Sequence, residues 1–363
     1  MRVLVATDSW TGLRSRQVGT ALARAWAGLG DEVAVIPMGT AGAGFRQAFE
    51  DLREAAGLDI LAPSLPDAGA DRWTTGSEPL GRLLAGLPAD GARVVIELSR
   101  APWRDGGRGM VEYLRSRTGR EGRQGRARLP IVVTTAEQAG LELTGLRGVV
   151  SLEGRAEQMD PARMLALDQA LCDWAEELTG DPEAGTVPGS GALGGIGLAV
   201  SALGGQVTTG PRLLLDLADA RRTVSRADLV VTGCEHLDFQ TLGGEVVTQV
   251  LKLAEPLGVP VIAVPLTSEV SARELRQAGL EAAAPLDGGP VDGAADMVAV
   301  TAAAGPVART WHWGAGGTSF PTPLTLGADE TESRLAPTDP SRRRAPSPEM
   351  IRGPFDHQWS RPI

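Results

Sequence analysis

A polar elbow in the second half of the chain carries three side chains that can bind a metal ion, a phosphate or a hydroxyl group: Asp238, Gln240 and Thr241. The elbow separates two apolar patterns of different period. Residues 228–232 form a short apolar run that is typical of a buried strand, whereas the apolar residues of 246–257 recur at helical spacing. Residues 259–264 are typical of a second buried strand. This order predicts a βαβ unit, in which ligands bind at the carboxyl ends of the strands.

The first third of the chain has a similar pattern. Residues 3–6 and 32–36 are typical of strands, and helical spacing of apolar residues follows each of them. The loops that connect strand to helix, at 7–13 and 37–44, are polar or rich in glycine. This alternation favours a parallel sheet covered by helices, which is the α/β class.

The alternation weakens after about residue 61 and returns near residue 229. Between these points we expect a strand at 93–98, a short helix at 110–114 and a glycine-rich helix at 192–203. Another helix begins at Asp160-Pro161, since Asp is a good N-cap and Pro is accepted at the first helical position. We interpret this as a discontinuous first domain, 1–62 and 226–317, interrupted by an inserted α/β domain at 63–225.

The last third closes the first domain and adds a tail. Ser271 and Glu274 have the spacing of a capping box, and residues 292–304 predict a last helix. Residues 318–363 hold eight of the 25 prolines and few periodic apolar positions. That composition is typical of a disordered tail.

The composition limits the classes of function. A formal charge of −10 at pH 7 over 363 residues argues against nucleic acid as a partner, because such proteins need basic patches. No apolar run approaches the roughly 18 residues of a membrane span, and the first residues do not have the pattern of a signal peptide. Cys172 and Cys234 provide neither a disulfide framework nor metal-binding spacing. We therefore expect a cytoplasmic protein without a membrane partner.

Five segments, taken in order, resemble the motifs of one enzyme family, the bacterial glycerate kinases of the first type. Residues 5–12 (VATDSWTG) resemble the opening motif APDSFKGS, and residues 37–44 (PMGTAGAG) are similar to PMADGGEG. Residues 104–110 (RDGGRGM) resemble NDGGAGM, and residues 188–197 (PGSGALGGIG) resemble PGAGAAGGLG. Residues 232–244 (TGCEHLDFQTLGG) are similar to the start of TGEGRLDSQTLRGK.

The resemblance covers about residues 1–301 and implies both a fold and an activity. The fold would be two-domain α/β, with a flavodoxin-like parallel-sheet domain, an inserted mixed α/β domain and the site in the cleft between them. The activity would be transfer of the γ-phosphoryl group of ATP to a hydroxyl of D-glycerate or a related small hydroxy acid, with Mg²⁺. ATP and a glycerate-like small molecule are the expected partners, and a homo-oligomer is compatible with this assignment.

The resemblance also suggests roles for the polar residues at the predicted strand ends. Asp8, with Ser9 beside it, is the first choice for a catalytic or metal-binding carboxylate, and Asp238 is a candidate for the metal or the acceptor hydroxyl. Gln240 and Thr241 are expected to contact substrate or phosphate. Asp8 could instead shape the loop after its strand, and Asp238 could belong to the loop that precedes the next helix.

A second group of residues is expected to bring backbone N–H groups close to phosphate or substrate: Gly106, Gly107, Gly189, Ser190, Gly191 and Gly194. Asp105 is expected to join them, although it could equally be a turn residue before a helix. Close helix packing explains the glycines of 189–197 almost as well as phosphate contact does. No strand pattern precedes that run, as a dinucleotide-binding fingerprint would require.

Several positions depart from the family pattern. Its lysines are replaced by Thr11 and Glu245, a glutamate by Cys234, and an acidic pair by Thr40 and Ala43. Loss of a phosphate-clamping cation can reduce a rate about 10³- to 10⁵-fold. The alternative function is therefore that of a catalytically inactive member that acts as a ligand-binding or regulatory module.

Five other residues are candidates of lower rank. Arg100, Arg104 and Arg108 could replace the missing positive charge or simply lie at the surface. We expect His236 to be a partly exposed loop residue without a role. We expect His312 to lie at a strand end packed on the core.

Overall fold

The computed structural model describes residues 1–65, 72–87, 93–118, 130–286 and 296–313. Within these residues the strands are β1 (Arg2–Thr7), β2 (Glu32–Pro37), β3 (Ile60–Leu61), β4 (Arg93–Glu97), β5 (Ile131–Thr134), β6 (Gln206–Thr209), β7 (Leu229–Gly233), β8 (His236–Leu237), β9 (Val261–Ala263), β10 (Thr267–Ser268) and β11 (Ala282–Ala283). The α-helices are α1 (Ser15–Ala27), α2 (Gly42–Ala56), α3 (Glu78–Ala85), α4 (Arg108–Thr118), α5 (Ala136–Ala139), α6 (Val149–Ala156), α7 (Pro161–Thr179), α8 (Ile196–Ala202), α9 (Gly210–Leu217), α10 (Ala220–Val224), α11 (Gly244–Ala254), α12 (Ala272–Ala278) and α13 (Met297–Thr310). In this part of the chain no helix is both long and apolar enough to cross a membrane.

The first sheet is entirely parallel and has the order β11-β9-β7-β1-β2. β1 pairs with β2 on one side and with β7 on the other, so that Val5 lies beside both Val35 and Val231. The direction in which the chain adds strands therefore changes between β1 and β7. Such a switch point opens a crevice at the carboxyl ends of the two strands, where ligands bind in open α/β sheets. The α/β class predicted from the sequence is confirmed, and the strand order is the flavodoxin-like one.

A second parallel sheet, with the order β3-β4-β5-β6, is formed by the intervening part of the chain. Its strands are short, and β5 and β6 pair in register from Ile131 with Gln206 to Thr134 with Thr209. The domain boundaries expected from the sequence stay a prediction.

The two sheets share one apolar layer. Phe45 of α2, Leu213 of α9 and Val247 of α11 belong to a single buried cluster that also includes Ile36 of the first sheet and Val133 of the second. The opposite face of the first sheet is covered by α1 and α13, and the opposite face of the second sheet packs on α3, α4 and α8. Burial of each large apolar side chain contributes about 1.5–3 kcal/mol, so this common layer holds the sheets together.

Two helix starts that the sequence predicts from capping residues are confirmed. The Asp160 carboxylate accepts the N–H of Arg163 at 3.0 Å and α7 begins at Pro161. The capping box of Ser271 and Glu274 starts α12.

The last helix begins and ends later in the chain than the sequence pattern predicts. It runs from Met297 to Thr310 with Asp296 as N-cap, rather than over 292–304, because buried residues recur at helical spacing at Val300, Ala304 and Ala308. Part of the expected range and the predicted tail lie outside the described residues.

The expectation that His312 ends a strand was wrong. His312 follows α13, and its side chain is 37% exposed. Its Nδ1 lies 2.9 Å from Oδ2 of the buried Asp31, and the other Asp31 oxygen accepts the amino group of Met1 at 2.7 Å. The alternation of Trp311, His312 and Trp313 imitates a strand pattern at the end of a helix.

The carboxyl ends of the two sheets lie against each other. A β-carbon at Gly210, which directly follows β6, would overlap the carbonyl oxygens of Gly39 and Thr40 in the loop after β2. Only a glycine allows this approach of two backbone segments, and the loops after the strands of one sheet therefore face those of the other.

We expect Gly210→Ala to destabilise the protein by about 1–3 kcal/mol, because the added methyl group must push the two loops apart. Gly140→Ala is a matched control, since a β-carbon there would meet its nearest neighbour at an ordinary 3.7 Å. Urea unfolding of both variants measures the difference. Equal stability of the two variants would contradict the close contact at Gly210.

Candidate active site

The crevice at the switch point contains Asp8, which follows β1. Its Oδ1 accepts the Ser9 N–H at 2.7 Å and the Ser9 hydroxyl at 3.4 Å, and its own N–H donates to the Gly233 carbonyl at 3.0 Å. No residue in the described part of the chain hydrogen-bonds to Oδ2. Burial raises the pKa of Asp8, the Ser9 hydrogen bonds lower it, and the negative charge of Glu245 raises it further. A half-buried carboxylate with one free oxygen can accept a proton or bind a cation.

Asp238 holds the elbow after β8 in shape. Its Oδ1 accepts the N–H groups of Gln240 at 2.7 Å and Thr241 at 2.8 Å, and its Oδ2 accepts the Thr241 hydroxyl at 2.9 Å. The Thr241 N–H, followed by the Thr241 hydroxyl, lowers the pKa of Asp238. The alternative interpretation, in which Asp238 shapes the loop before the helix, describes these contacts well. Its role as a metal ligand or base stays a prediction, as do the substrate contacts of Gln240 and Thr241.

Cys234 directly follows β7, and a β-carbon at Gly243 in the elbow would overlap its sulfur. Burial raises the pKa of its thiol to about 12, and the nearby charges of Asp8 and Asp238 add to the shift. The elbow therefore packs against the end of β7, the strand that lies beside β1 and so beside the strand that Asp8 follows.

Glu245 links the two sheets across the crevice. It lies in the first turn of α11, and its Oε2 accepts the N–H of Ala136, the first residue of α5, at 3.2 Å. Its other oxygen, Oε1, is buried. Burial raises the pKa of Glu245, while the Thr209 hydroxyl and the Ala136 N–H act in the opposite direction.

Asp105 organises the loop before α4. Its Oδ2 accepts the N–H and the hydroxyl of Ser77 at 2.7 and 2.9 Å and the Gly109 N–H at 3.0 Å. Its Oδ1 accepts the Gly107 N–H at 3.0 Å. These four hydrogen bonds agree with the turn interpretation, and contact of Asp105 with substrate stays a prediction.

The two glycine segments pack against each other. A β-carbon at Gly191 would overlap the Glu142 carbonyl, and one at Gly194 would overlap the Trp103 carbonyl. On the facing loop, a β-carbon at Gly106 would clash with the Trp174 ring and one at Gly107 with the Ala199 side chain. Close packing therefore accounts for these glycines, and their phosphate contacts stay predictions.

Residues 189–197 form hydrogen bonds with residues outside the crevice. The Ser190 hydroxyl donates to the Gly185 carbonyl at 2.9 Å and accepts the Leu143 N–H at 3.0 Å. Gly189, at φ 92°, donates to the Leu141 carbonyl. Among the described residues, no hydrogen bond connects this run to Asp8 or to Asp238.

Arg104, Arg108 and His236 have structural partners, whereas Arg100 is exposed. Arg104 donates to the Ala101 and Trp103 carbonyls and to Glu153, and Arg108 lies 4.8 Å above the Trp174 ring. His236 belongs to the short strand β8 rather than to a loop, and its Nδ1 lies 2.6 Å from the Thr267 hydroxyl.

Thr11, at the position of a family lysine, donates to Glu235 at 2.6 Å.

The described residues contain no group of three or more His, Cys, Asp or Glu side chains that could hold a metal ion. Mg²⁺ is nevertheless often bound through one or two carboxylates, with water and substrate phosphates completing its shell. The free Oδ2 of Asp8 fits that kind of site.

Sequence reasoning missed three residues at the crevice: Thr134, Ala136 and Thr209. Thr134 and Thr209 end β5 and β6, and both side chains are buried. The Thr209 hydroxyl interacts with Glu245. The available signal was a hydroxyl residue at the end of a short β-branched run, the same signal that Thr7 and Thr232 give in the first sheet.

Comparisons with known proteins give one consistent result. Residues 123–310 match the sequence profile described as the glycerate kinase family. An uncharacterized protein of Mycobacterium bovis is 29% identical over 78% of this chain and 83% of its own length, and the glycerate 2-kinase of Escherichia coli is 27% identical over 65% and 68%. The crystal structure of a putative glycerate kinase 2 from Salmonella typhimurium superposes with a TM-score of 0.63 at 23% identity, over 85% of this chain and 98% of that one, and supports the fold.

We expect Asp8→Asn to raise the free energy of unfolding at pH 7. Folding raises the pKa of Asp8, so protonation of Asp8 stabilises the folded protein below the unfolded pKa of roughly 3.9, and that stability is lost as the pH rises through the folded pKa. Asparagine stays neutral and can still accept the Ser9 N–H. The advantage of the variant should therefore shrink toward pH 4, as urea unfolding at both pH values can measure. A variant less stable than wild type at pH 7 would contradict the burial of a charged Asp8.

Cys234 should be almost unreactive in the folded protein. At pH 8 a thiol pKa of about 12 leaves roughly one thiolate in ten thousand molecules. In a Cys172→Ser variant we expect a disulfide reagent such as DTNB to modify Cys234 slowly in buffer and rapidly in guanidinium. Equally fast labelling in both conditions would show that the sulfur is accessible and ionised.

Proposed function

This chain belongs to the glycerate kinase family, and from that premise we propose that it is an ATP-dependent phosphotransferase acting on D-glycerate or a related small hydroxy acid. The observation that carries the proposal is the position of Asp8. Its carboxylate lies at the switch point between β1 and β7, half-buried, with one oxygen held by Ser9 and the other free of partners in the described chain. This is the place where open α/β sheets bind ligands.

The chemistry of phosphoryl transfer fits this arrangement. The reaction depends on positioning and on neutralisation of charge more than on covalent catalysis. When bound, ATP with Mg²⁺ would supply the γ-phosphoryl group. Asp8 Oδ2 would hold the metal ion or accept the proton of the attacking hydroxyl, and a raised pKa makes the carboxylate a better base near neutral pH. The hydrogen bonds from Ser9 to Oδ1 keep the carboxylate in one orientation.

The departures from the family motifs set limits on the proposed site. Thr11 and Glu245 supply no cation, and each of them contacts another residue of the chain. Neutralisation of the phosphates would therefore depend on Mg²⁺ more than on lysine side chains. We expect turnover to require a divalent cation.

The test is release of ADP from ATP in the presence of D-glycerate and Mg²⁺. We expect wild-type turnover, and a loss of about 10²- to 10⁴-fold in Asp8→Asn, which is the range for removal of a general base. Asp59→Asn, which changes an exposed carboxylate, serves as control and should keep wild-type activity.

Two outcomes would count against the proposal. If the wild-type protein neither releases ADP nor binds ATP in calorimetry, the protein is not an ATP-dependent phosphotransferase. Full activity in Asp8→Asn would show that Asp8 has no role in the reaction, although the protein would still be a phosphotransferase.

A further inference from the structure

One side of α7 is both apolar and exposed to solvent. Leu165, in the first half of this helix, is 72% exposed. It shares that side with four exposed residues that are small or uncharged: Ala162, Ala166, Gln169 and Ala170. The opposite side of the helix is buried in the protein and carries Leu171, Trp174 and Ala175. A helix that is apolar on both sides is normally covered on both sides, whereas α7 is covered on one.

The exposed apolar surface extends from α7 to the loop before α6. Leu146 of this loop is 81% exposed. The N–H of Gly145 donates to Oδ1 of Asp168 at 3.0 Å, so the loop lies beside α7, one turn of helix from Leu165. The exposed side of α2, by contrast, carries Arg46, Gln47, Glu50 and Glu54. Two highly exposed leucines on neighbouring segments indicate a surface that another protein chain covers.

The charged residues at the two ends of α7 are arranged against the dipole of the helix. Arg163 lies in the first turn, where an acidic residue would be favourable, and Glu176 and Glu177 lie in the last turn, where a basic residue would be. Glu177 reaches Arg108 at 3.6 Å, but no ion pair within the described residues involves Arg163 or Glu176. A second helix that runs antiparallel to α7 would compensate both ends, since it would bring acidic groups to Arg163 and a basic group to Glu176.

We propose that the exposed side of α7, together with Leu146, is the interface at which two copies of this chain form a two-fold dimer with antiparallel α7 helices. A two-fold contact requires a surface that is complementary to itself. The α7 surface meets this requirement, because the basic start of one helix faces the acidic end of the other and the uncharged residues pack between them. Gln169, near the middle of the helix, then lies beside the two-fold axis.

The length of α7 limits the strength of this dimer. Its 19 residues span about 28 Å, so the contact is at the small end of specific protein interfaces. We expect a dimer that dissociates on dilution and that weakens in high salt, because exposed charges are screened. The proposal concerns association alone and uses none of the crevice residues, so it holds whether or not phosphoryl transfer occurs.

The test is sedimentation equilibrium of the full chain over a range of concentrations. We expect the mass to rise with concentration from that of one chain toward that of two. In Leu165→Glu the dissociation constant should rise at least tenfold, or about 1.4 kcal/mol, because a charged group would be buried in an apolar contact. Val298→Glu changes a side chain of α13 that is also 72% exposed, and should leave the constant unchanged. A wild-type protein that is monomeric at every concentration, or a Leu165→Glu variant that associates as well as wild type, would overturn the proposal.

A disulfide crosslink tests the antiparallel arrangement. In a Cys172→Ser background, Gln169→Cys places a thiol next to the two-fold axis, and we expect mild oxidation to join two chains through it, because such a bond forms only between thiols that are already close. Gln47→Cys in the same background is the matched control, since it places a thiol at an exposed position of α2 and should give no crosslink. A dimer in which Gln169→Cys does not crosslink, or in which Gln47→Cys crosslinks equally well, would contradict this interface.

Discussion

The apolar layer between the two sheets is the constraint on which the rest of the structure depends. α2, α9 and α11 bury side chains against both sheets at once, so neither sheet can shift without exposing apolar surface of the other. This packing fixes the distance between the two sets of strand ends. The contact of Gly210 with the carbonyls of Gly39 and Thr40 and the contact of Glu245 with Ala136 both follow from it. The position of the crevice therefore depends on the core beneath it.

The crevice concentrates negative charge where the fold provides little compensation. Asp8 and Glu245 are both partly buried and repel each other, and burial together with the charges of Asp8 and Asp238 keeps the Cys234 thiol protonated. Such an arrangement costs stability, which proteins commonly accept at functional sites. Asp238 is the exception, because its own turn supplies three hydrogen bonds to its carboxylate. The carboxylates of one crevice thus have different pKa shifts for identifiable local reasons.

Sequence reasoning succeeded where the determining interaction is local. The unit from β7 to β9, the capping box at Ser271 and the start of α7 at Asp160 each depend on residues within a few positions of one another. It failed where the partner is distant in sequence: Glu245 contacts Ala136 across 109 residues, and no periodicity encodes that contact. Asp105 and the glycines of 189–197 were ambiguous for the same reason, because packing of one loop on another determines their role. The sequence did not predict the strands β5 and β6, because four residues are too few to show a clear strand pattern.

The pairing of β1 with β7 also has a consequence for biosynthesis. The two strands lie side by side in the centre of the first sheet, yet Arg2 and Asp228, which hydrogen-bond at their start, are 226 residues apart. During synthesis β1 is translated long before β7, with only β2 available to pair with one of its edges. Its other edge must wait until the whole second sheet has been translated, and exposed strand edges of this kind are prone to aggregate. A chaperone that covers the unpaired edge of β1 would therefore protect the nascent chain from aggregation during this interval.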